Sequence, residues 1–174
     1  MKKTIAILIF LVFAFTSIGF ASTIVMTPSG SNTAGTTVSD AWGVGARRLT
    51  RTINFATALT EKGSALAAND IISVFDIPPQ TAVIAANIHA HTAINSGATV
   101  CKLDLGWTSH PEADPDNFVD GYNAVTCTTD GVPIFAVQGY VTTATTLDME
   151  IAELTGTLSS GKVTVTVLLF DMRE

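Results

Sequence analysis

Between Glu112 and Gly121 the chain gathers carboxylates: Glu112-Ala113-Asp114-Pro115-Asp116-Asn117-Phe118-Val119-Asp120-Gly121. Oxygen donors at close spacing are what Ca²⁺ takes. Asp114, Asp116 and Asp120, with Asp104 as a further donor, therefore form a candidate calcium site. The EF-hand pattern fails, because the fifth position counted from Asp114 is Phe118 and no Glu closes the loop. The ordinary alternative is a solvated loop in which Asp and Asn close Asx-turns. His89 and His91 stand two apart, which on a strand puts both imidazoles on one face. Such a pair can share a metal, with His110 as a third ligand; the alternative is two exposed strand residues.

Cys101 and Cys127 make an even pair, and in an exported chain that predicts a disulfide. The bridge would close a loop of about 26 residues, worth roughly 3 kcal/mol in the chain-entropy account. Two buried thiols are the alternative. No Cys-x-x-Cys, Gly-x-Ser-x-Gly, phosphate-binding loop, dinucleotide fingerprint or His-Glu-x-x-His occurs, so no enzyme class and no cofactor beyond calcium is expected. Arg47, Arg48 and Arg51 are the one basic cluster. They are candidate assembly contacts, able to grip an acidic neighbour such as another copy of this chain. Their alternative role is to charge a strand edge against unwanted pairing.

The elements that must carry these residues read as strands. The chain is rich in Thr, Val, Ile, Ala and Gly, as sheets prefer, and poor in the long charged residues of helices. Residues 48–55 alternate loosely, 56–68 suit a short helix, and 70–77 form a strand closed by Pro78-Pro79. From 81 to 94 the alternation is clearest: Ile84, Ala86, Ile88 and Ala90 on one face, Asn87, His89 and His91 on the other. Residues 99–107 put Cys101, Leu103, Leu105 and Trp107 on one face. A long polar loop is expected over 108–123, then a short strand near Cys127, and further strands over 133–141, 145–154 and 162–172. Seven or eight short strands joined by Gly/Asn/Asp turns predict an all-β chain, a single jelly-roll-like β-sandwich. An immunoglobulin-like sandwich fits less well, since the two cysteines lie too close in sequence for its inter-sheet pair.

Ahead of that domain, Lys2 and Lys3 precede an apolar run from Ile5 to Phe20 that ends in Gly19-Phe20-Ala21. This is the layout of a cleaved secretory signal peptide over 1–21. The run of about 16 residues falls short of the roughly 20 a spanning helix needs. Residues 22–41, rich in Ser, Thr, Gly and Asn, read as a flexible or extended arm, and 42–174 as the sandwich. The whole chain has 9 basic and 15 acidic residues; without Lys2 and Lys3 the balance is 7 against 15, a net charge of −8. Such acidity argues against nucleic-acid binding and against docking on anionic lipid.

One set of motifs resembles a known group. Phe75-Asp76-Ile77-Pro78-Pro79-Gln80-Thr81-Ala82-Val83-Ile84, Leu103-Asp104-Leu105-Gly106, Asp116-Asn117-Phe118-Val119-Asp120-Gly121 and Lys162-Val163-Thr164-Val165 follow in order. Together, over about 70–174, they resemble small β-sandwich virion proteins of tailed bacteriophages, which decorate capsids or build head and tail fittings. The resemblance implies a structural role, with the Asp-x-Phe-x-Asp-Gly loop a surface turn. The export signal and the expected disulfide depart from that group. They favour an exported subunit of a surface layer, filament or sheath, secreted or on the cell surface, with the virion as the alternative. The expected function is thus a non-enzymatic, self-assembling subunit whose partners are copies of itself, with neither nucleic acid nor, after signal cleavage, a membrane. The competing expectation is a secreted carbohydrate-binding module presenting Trp42, Trp107, Tyr122 or Tyr140.

Overall fold

The structure, a computed structural model, describes residues 23–24, 36–37, 46–92, 94, 97–108, 114–125 and 139–172. The strands are β1 (Thr23–Ile24), β2 (Thr36–Thr37), β3 (Ala46–Asn54), β4 (Ile71–Ile77), β5 (Thr81–Thr92), β6 (Val100–Trp107), β7 (Asp114–Asn123), β8 (Gly139–Val141), β9 (Thr145–Thr155) and β10 (Lys162–Asp171). One helix, α1 (Phe55–Lys62), follows β3. The strands form two five-stranded sheets, ordered β1-β4-β9-β6-β7 and β2-β3-β10-β5-β8. Apart from the short end strands β1 and β2, each sheet has four strands, and the chain crosses between sheets at almost every step. This order, β4-β9-β6-β7 over β3-β10-β5-β8, is the wrapping of an eight-stranded jelly roll.

Period-2 burial builds the core between the sheets. β10 turns Val163, Val165, Val167 and Leu169 inward, and β9 turns in Leu147, Met149 and Ile151. Leu103 and Leu105 of β6 and Ile88 of β5 complete the layer, all fully buried. Ile53 of β3, Phe55 of α1 and Phe118 of β7 are buried as well. Asn54 caps α1 by accepting a hydrogen bond from the Ala56 N–H at 3.1 Å, and Lys62 sits in its last turn. The helix is eight residues long and stops at Gly63, short of the 56–68 expected from sequence.

Two expectations are corrected. The segment 114–123 is a strand, not a loop. Phe118, Val119 and Tyr122 are buried against the core, and this burial overrides the turn preference of its Asp, Pro, Asn and Gly residues. Two register breaks along the β6–β7 pairing let those residues fit. Gly106 is required for that fit, because a Cβ there would stand 2.1 Å from the Asp114 carbonyl oxygen. In β5 the alternation breaks at its pairing with β10, between Leu168 and Leu169. Val83, not Ile84, is the wholly buried residue there.

The segment expected as an arm supplies an end strand to each sheet of its own chain. β1 runs parallel to β4, Ile24 opposite Ile72, and the Ile24 side chain is buried. β2 pairs with Arg47 and Arg48 of β3. The signal-peptide reading of 1–21, most of the short strand expected near Cys127, the 133–138 part of the strand expected over 133–141, and the residues Trp42, His110 and Cys127 lie outside the described residues. No helix among the described residues is long and apolar enough to cross a membrane.

Candidate functional site

Strand alternation leaves the sandwich with two outer faces, and they differ in chemistry. On the β6–β9–β7 side the outer face is acidic. Asp104 stands directly opposite Glu150, and Lys102 opposite Glu153. Lys102 and Glu153 form an exposed ion pair at 2.6 Å, and that bond holds the lysine pKa above its usual value. Asp104 and Glu150 face each other as like charges, and Lys102 offsets this only weakly, at Asp104. Burial pushes the Asp104 carboxyl up, and Asp120 and Asp116 add repulsion. A hydrogen bond of 2.6 Å from the Gly121 N–H to Asp104 Oδ1 pulls the other way. The Glu150 carboxyl is also raised, by burial first and then by Asp104 and Asp116. Asp114 is raised by its hydrogen bond with Asp116.

The candidate calcium ligands thus sit on β7 and not in a loop. Asp114, Asp116 and Asp120 are all exposed and lie along the extended strand β7. Among the described residues no group of three His, Cys, Asp or Glu side chains is gathered closely enough to hold a metal ion. One further carboxylate, Asp148, is almost fully buried opposite Gly106. Its Oδ2 accepts from the Thr108 and Thr146 hydroxyls, while Oδ1 has no hydrogen-bond partner. Neither Glu150 nor Asp148 was singled out from the sequence. The inward run Leu147, Met149, Ile151 carried the signal, because it obliges 148 and 150 to point outward.

On the β3–β10–β5 side the outer face is a sheet of Thr, Asn and His that becomes apolar toward one end. Thr52, Thr164 and His89 lie in one cross-strand row, and Thr50, Thr166 and Asn87 in the next. The Thr52 and Thr164 hydroxyls are 2.8 Å apart, and His91 Nε2 lies 2.5 Å from Thr164 Oγ1. The His89 and His91 rings meet edge to face with centroids 5.0 Å apart. Farther along, Leu168 and Phe170 are half-buried, and Tyr140 and Met172 are exposed.

Alternation separates the three arginines. Arg47 and Arg51 share the inward parity of Leu49 and Ile53, while Arg48 is exposed on the opposite face. Arg51 donates to the Ser73 and Val74 carbonyls at 3.2 and 2.8 Å, and so ties β3 to β4 across the sandwich. Val74 is the extra residue of a β-bulge against β9, and its carbonyl accepts the shorter of the two Arg51 bonds.

Cys101 is wholly buried on β6 and carries a free thiol. The bridge expected to Cys127 is therefore not made in this structure. Burial alone pushes the Cys101 pKa up to about 11. Of the aromatic residues considered for sugar binding, Trp107 is buried against Phe118 at a ring separation of 5.1 Å, and Tyr122 is buried with its hydroxyl accepting from the Ala90 N–H. Tyr140 alone among the described candidates is exposed. Sequence reasoning also missed Lys62 and Asp70. Asp70 is fully buried before β4, accepts the Ala67 N–H at 2.8 Å, and pairs with Lys62 Nζ at 2.5 Å. An open cleft of about 580 Å³ lies beside Pro78 and Pro79, lined also by Asp76, Ile77, Ala144, Thr145 and Thr146.

No protein-family model and no curated protein matches the chain. Solved structures do. A chain of the cyanophage Pam1 capsid asymmetric unit aligns at a TM-score of 0.53 and 14% identity, over 83% of this chain and 99% of that one. A chain of the Ralstonia phage GP4 capsid gives 0.49 and 17%, over 75% and 86%. A chain of the Helicobacter pylori bacteriophage KHP30 capsid gives 0.46 and 13%, over 72% and 86%. The fold is therefore one that a phage capsid chain also has, and the resemblance to phage structural proteins read from the motifs holds at the level of structure.

Proposed function

We propose that this chain is a non-enzymatic structural subunit of a virion surface that assembles with copies of itself or with other capsid chains. The supporting observation is the breadth of the likeness to the Pam1 capsid chain: essentially all of that chain is matched, so the common part is a complete jelly roll and not a shared hairpin. Decoration of a shell is the finer reading, and it suits a small acidic sandwich with two broad outer faces. An exported sheath or surface-layer subunit is the form this reading takes if residues 1–21 act as a signal. Burial of Trp107 and Tyr122 weighs against the carbohydrate-binding alternative.

The test is mass spectrometry of particles purified from the source culture, reading this chain's abundance and its N-terminus. The expected result is the chain in stoichiometric amount in particles. A native start at Met1 marks a virion component that retains its apolar segment, and a start at Ser22 marks an exported assembly. The chain recovered solely as a free monomer that is retained on immobilised glycan would overturn the structural reading.

A further inference from the structure

We propose that His89 and His91 form a two-imidazole site for a borderline divalent transition cation, of the Zn²⁺ or Ni²⁺ kind, on the outer face of the β3–β10–β5 sheet. Both side chains are exposed, both project from the same face of β5, and their ring centroids are 5.0 Å apart. Side-chain rotation can bring one nitrogen of each ring to the 2.0–2.1 Å, as an order of magnitude, that such a metal requires.

The surroundings prepare His91 for this. Its Nε2 is held 2.5 Å from Thr164 Oγ1, and that hydroxyl is in turn 2.8 Å from Thr52 Oγ1. Either direction of this relay fits the distances; in the tautomer with the proton on Nε2, Nε2–H donates to Thr164, Thr164 donates onward to Thr52, and a cation taken up at Nδ1 would select that tautomer. A ligating histidine is typically held in this manner, its second nitrogen fixed by an outer-shell acceptor. Thr164 is only 9% exposed, so water competes weakly for that bond. The neighbouring outward residues on the described strands include Thr52, Asn54, Asn87, Thr166 and Lys162. None is a carboxylate, so the protein offers nitrogen ligands and water completes the shell. That donor set favours metals that prefer imidazole over Ca²⁺ or Mg²⁺. The site is separate from the acidic face of the other sheet and adds a ligand to the structural role.

The test is calorimetric titration of the full chain, made without an affinity tag, with Ni²⁺. One cation per chain is expected. His89→Ala and His91→Ala should each weaken binding about tenfold or more, and Thr164→Val, which removes the outer-shell acceptor, about tenfold. Asp114→Asn with Asp116→Asn should leave binding unchanged. Because both histidines are exposed, circular dichroism should report the parent fold in the histidine variants. The proposal is overturned if the intact chain takes up no Ni²⁺, if both histidine variants titrate like the parent, or if His110→Ala or the aspartate variant abolishes binding while the β5 histidine variants do not.

Discussion

At the scale of single residues, side chains that look alike in the sequence do different work. Arg48 and Arg51 belong to one basic cluster, yet Arg48 is exposed and Arg51 reaches two carbonyls of β4. Arg51→Ala should therefore cost about 2 kcal/mol, the worth of its charge-assisted bonds. Arg48→Ala should stay within about 0.5 kcal/mol. Urea denaturation of the two variants checks both, and equal costs would contradict the division. Parity was legible: residues 47 and 51 must share a strand face and 48 must oppose them. The bulge at Val74 was not, because it arises from the fit of β4 on β9 and no local pattern encodes it. Cys101 offers a second case. A buried thiol with its pKa near 11 stays protonated at neutral pH, and the thiolate is the reactive form. The native protein should resist iodoacetamide at this residue, and the urea-unfolded protein should be alkylated there without prior reduction. A requirement for reductant would mean that the bridge to Cys127 forms after all.

At the scale of elements, what the sequence showed depended on how many faces each strand buries. β9 and β10 carry β-branched or aliphatic residues at every second position, so their extents and inward faces were legible. β7 was not, since its Asp, Pro, Asn and Gly residues speak for a loop and only tertiary contact selects Phe118, Val119 and Tyr122 as an inward set. Misplacing β7 also hid the acidic face, which exists because β6, β7 and β9 lie side by side. Asp104 and Glu150 are opposite each other there, and like charges so placed oppose pairing. Both carboxyls have raised pKa values in the folded chain. The folded state thus holds protons more tightly than the unfolded state. The penalty is full above the raised values and vanishes as pH falls below the unfolded ones. Glu150→Gln should stabilise the protein at pH 7 by about 0.5 kcal/mol, as removal of a facing like charge does. The gain should shrink as pH is lowered through the raised pKa toward the unfolded value. Thermal melts of parent and variant across that range decide it; a gain that persists undiminished at low pH would assign the effect to packing instead of charge.

At the scale of the whole molecule, the jelly roll sets where the N-terminal segment can act. Composition predicted a flexible or extended arm over 22–41, and nothing local distinguishes Thr23-Ile24 from the rest of it. The structure nevertheless seats Ile24 in the core, at 3% exposure, with its backbone alongside Ile72 of β4. The same geometry would be satisfied by the equivalent strand of another copy, because β4 presents the same edge to either donor. The register within one chain makes the self-paired form the expected one. Ile24→Ala should then lower stability by about 2–3 kcal/mol, the lower part of the range for truncating a buried isoleucine to alanine, as fits a strand at the sheet edge. For a domain of this size that is a fall of about 5–10 °C in Tm. The shift should be the same at every protein concentration, since a contact within one chain has no mass-action term. Exchange between copies would behave otherwise. The parent's Tm would climb with concentration, and Ile24→Ala would abolish the climb together with the high-mass species in sedimentation. A concentration series on both proteins therefore separates an arm that closes its own sandwich from one that links subunits, and it does so independently of whether the outer faces of the sandwich make the contacts of a shell.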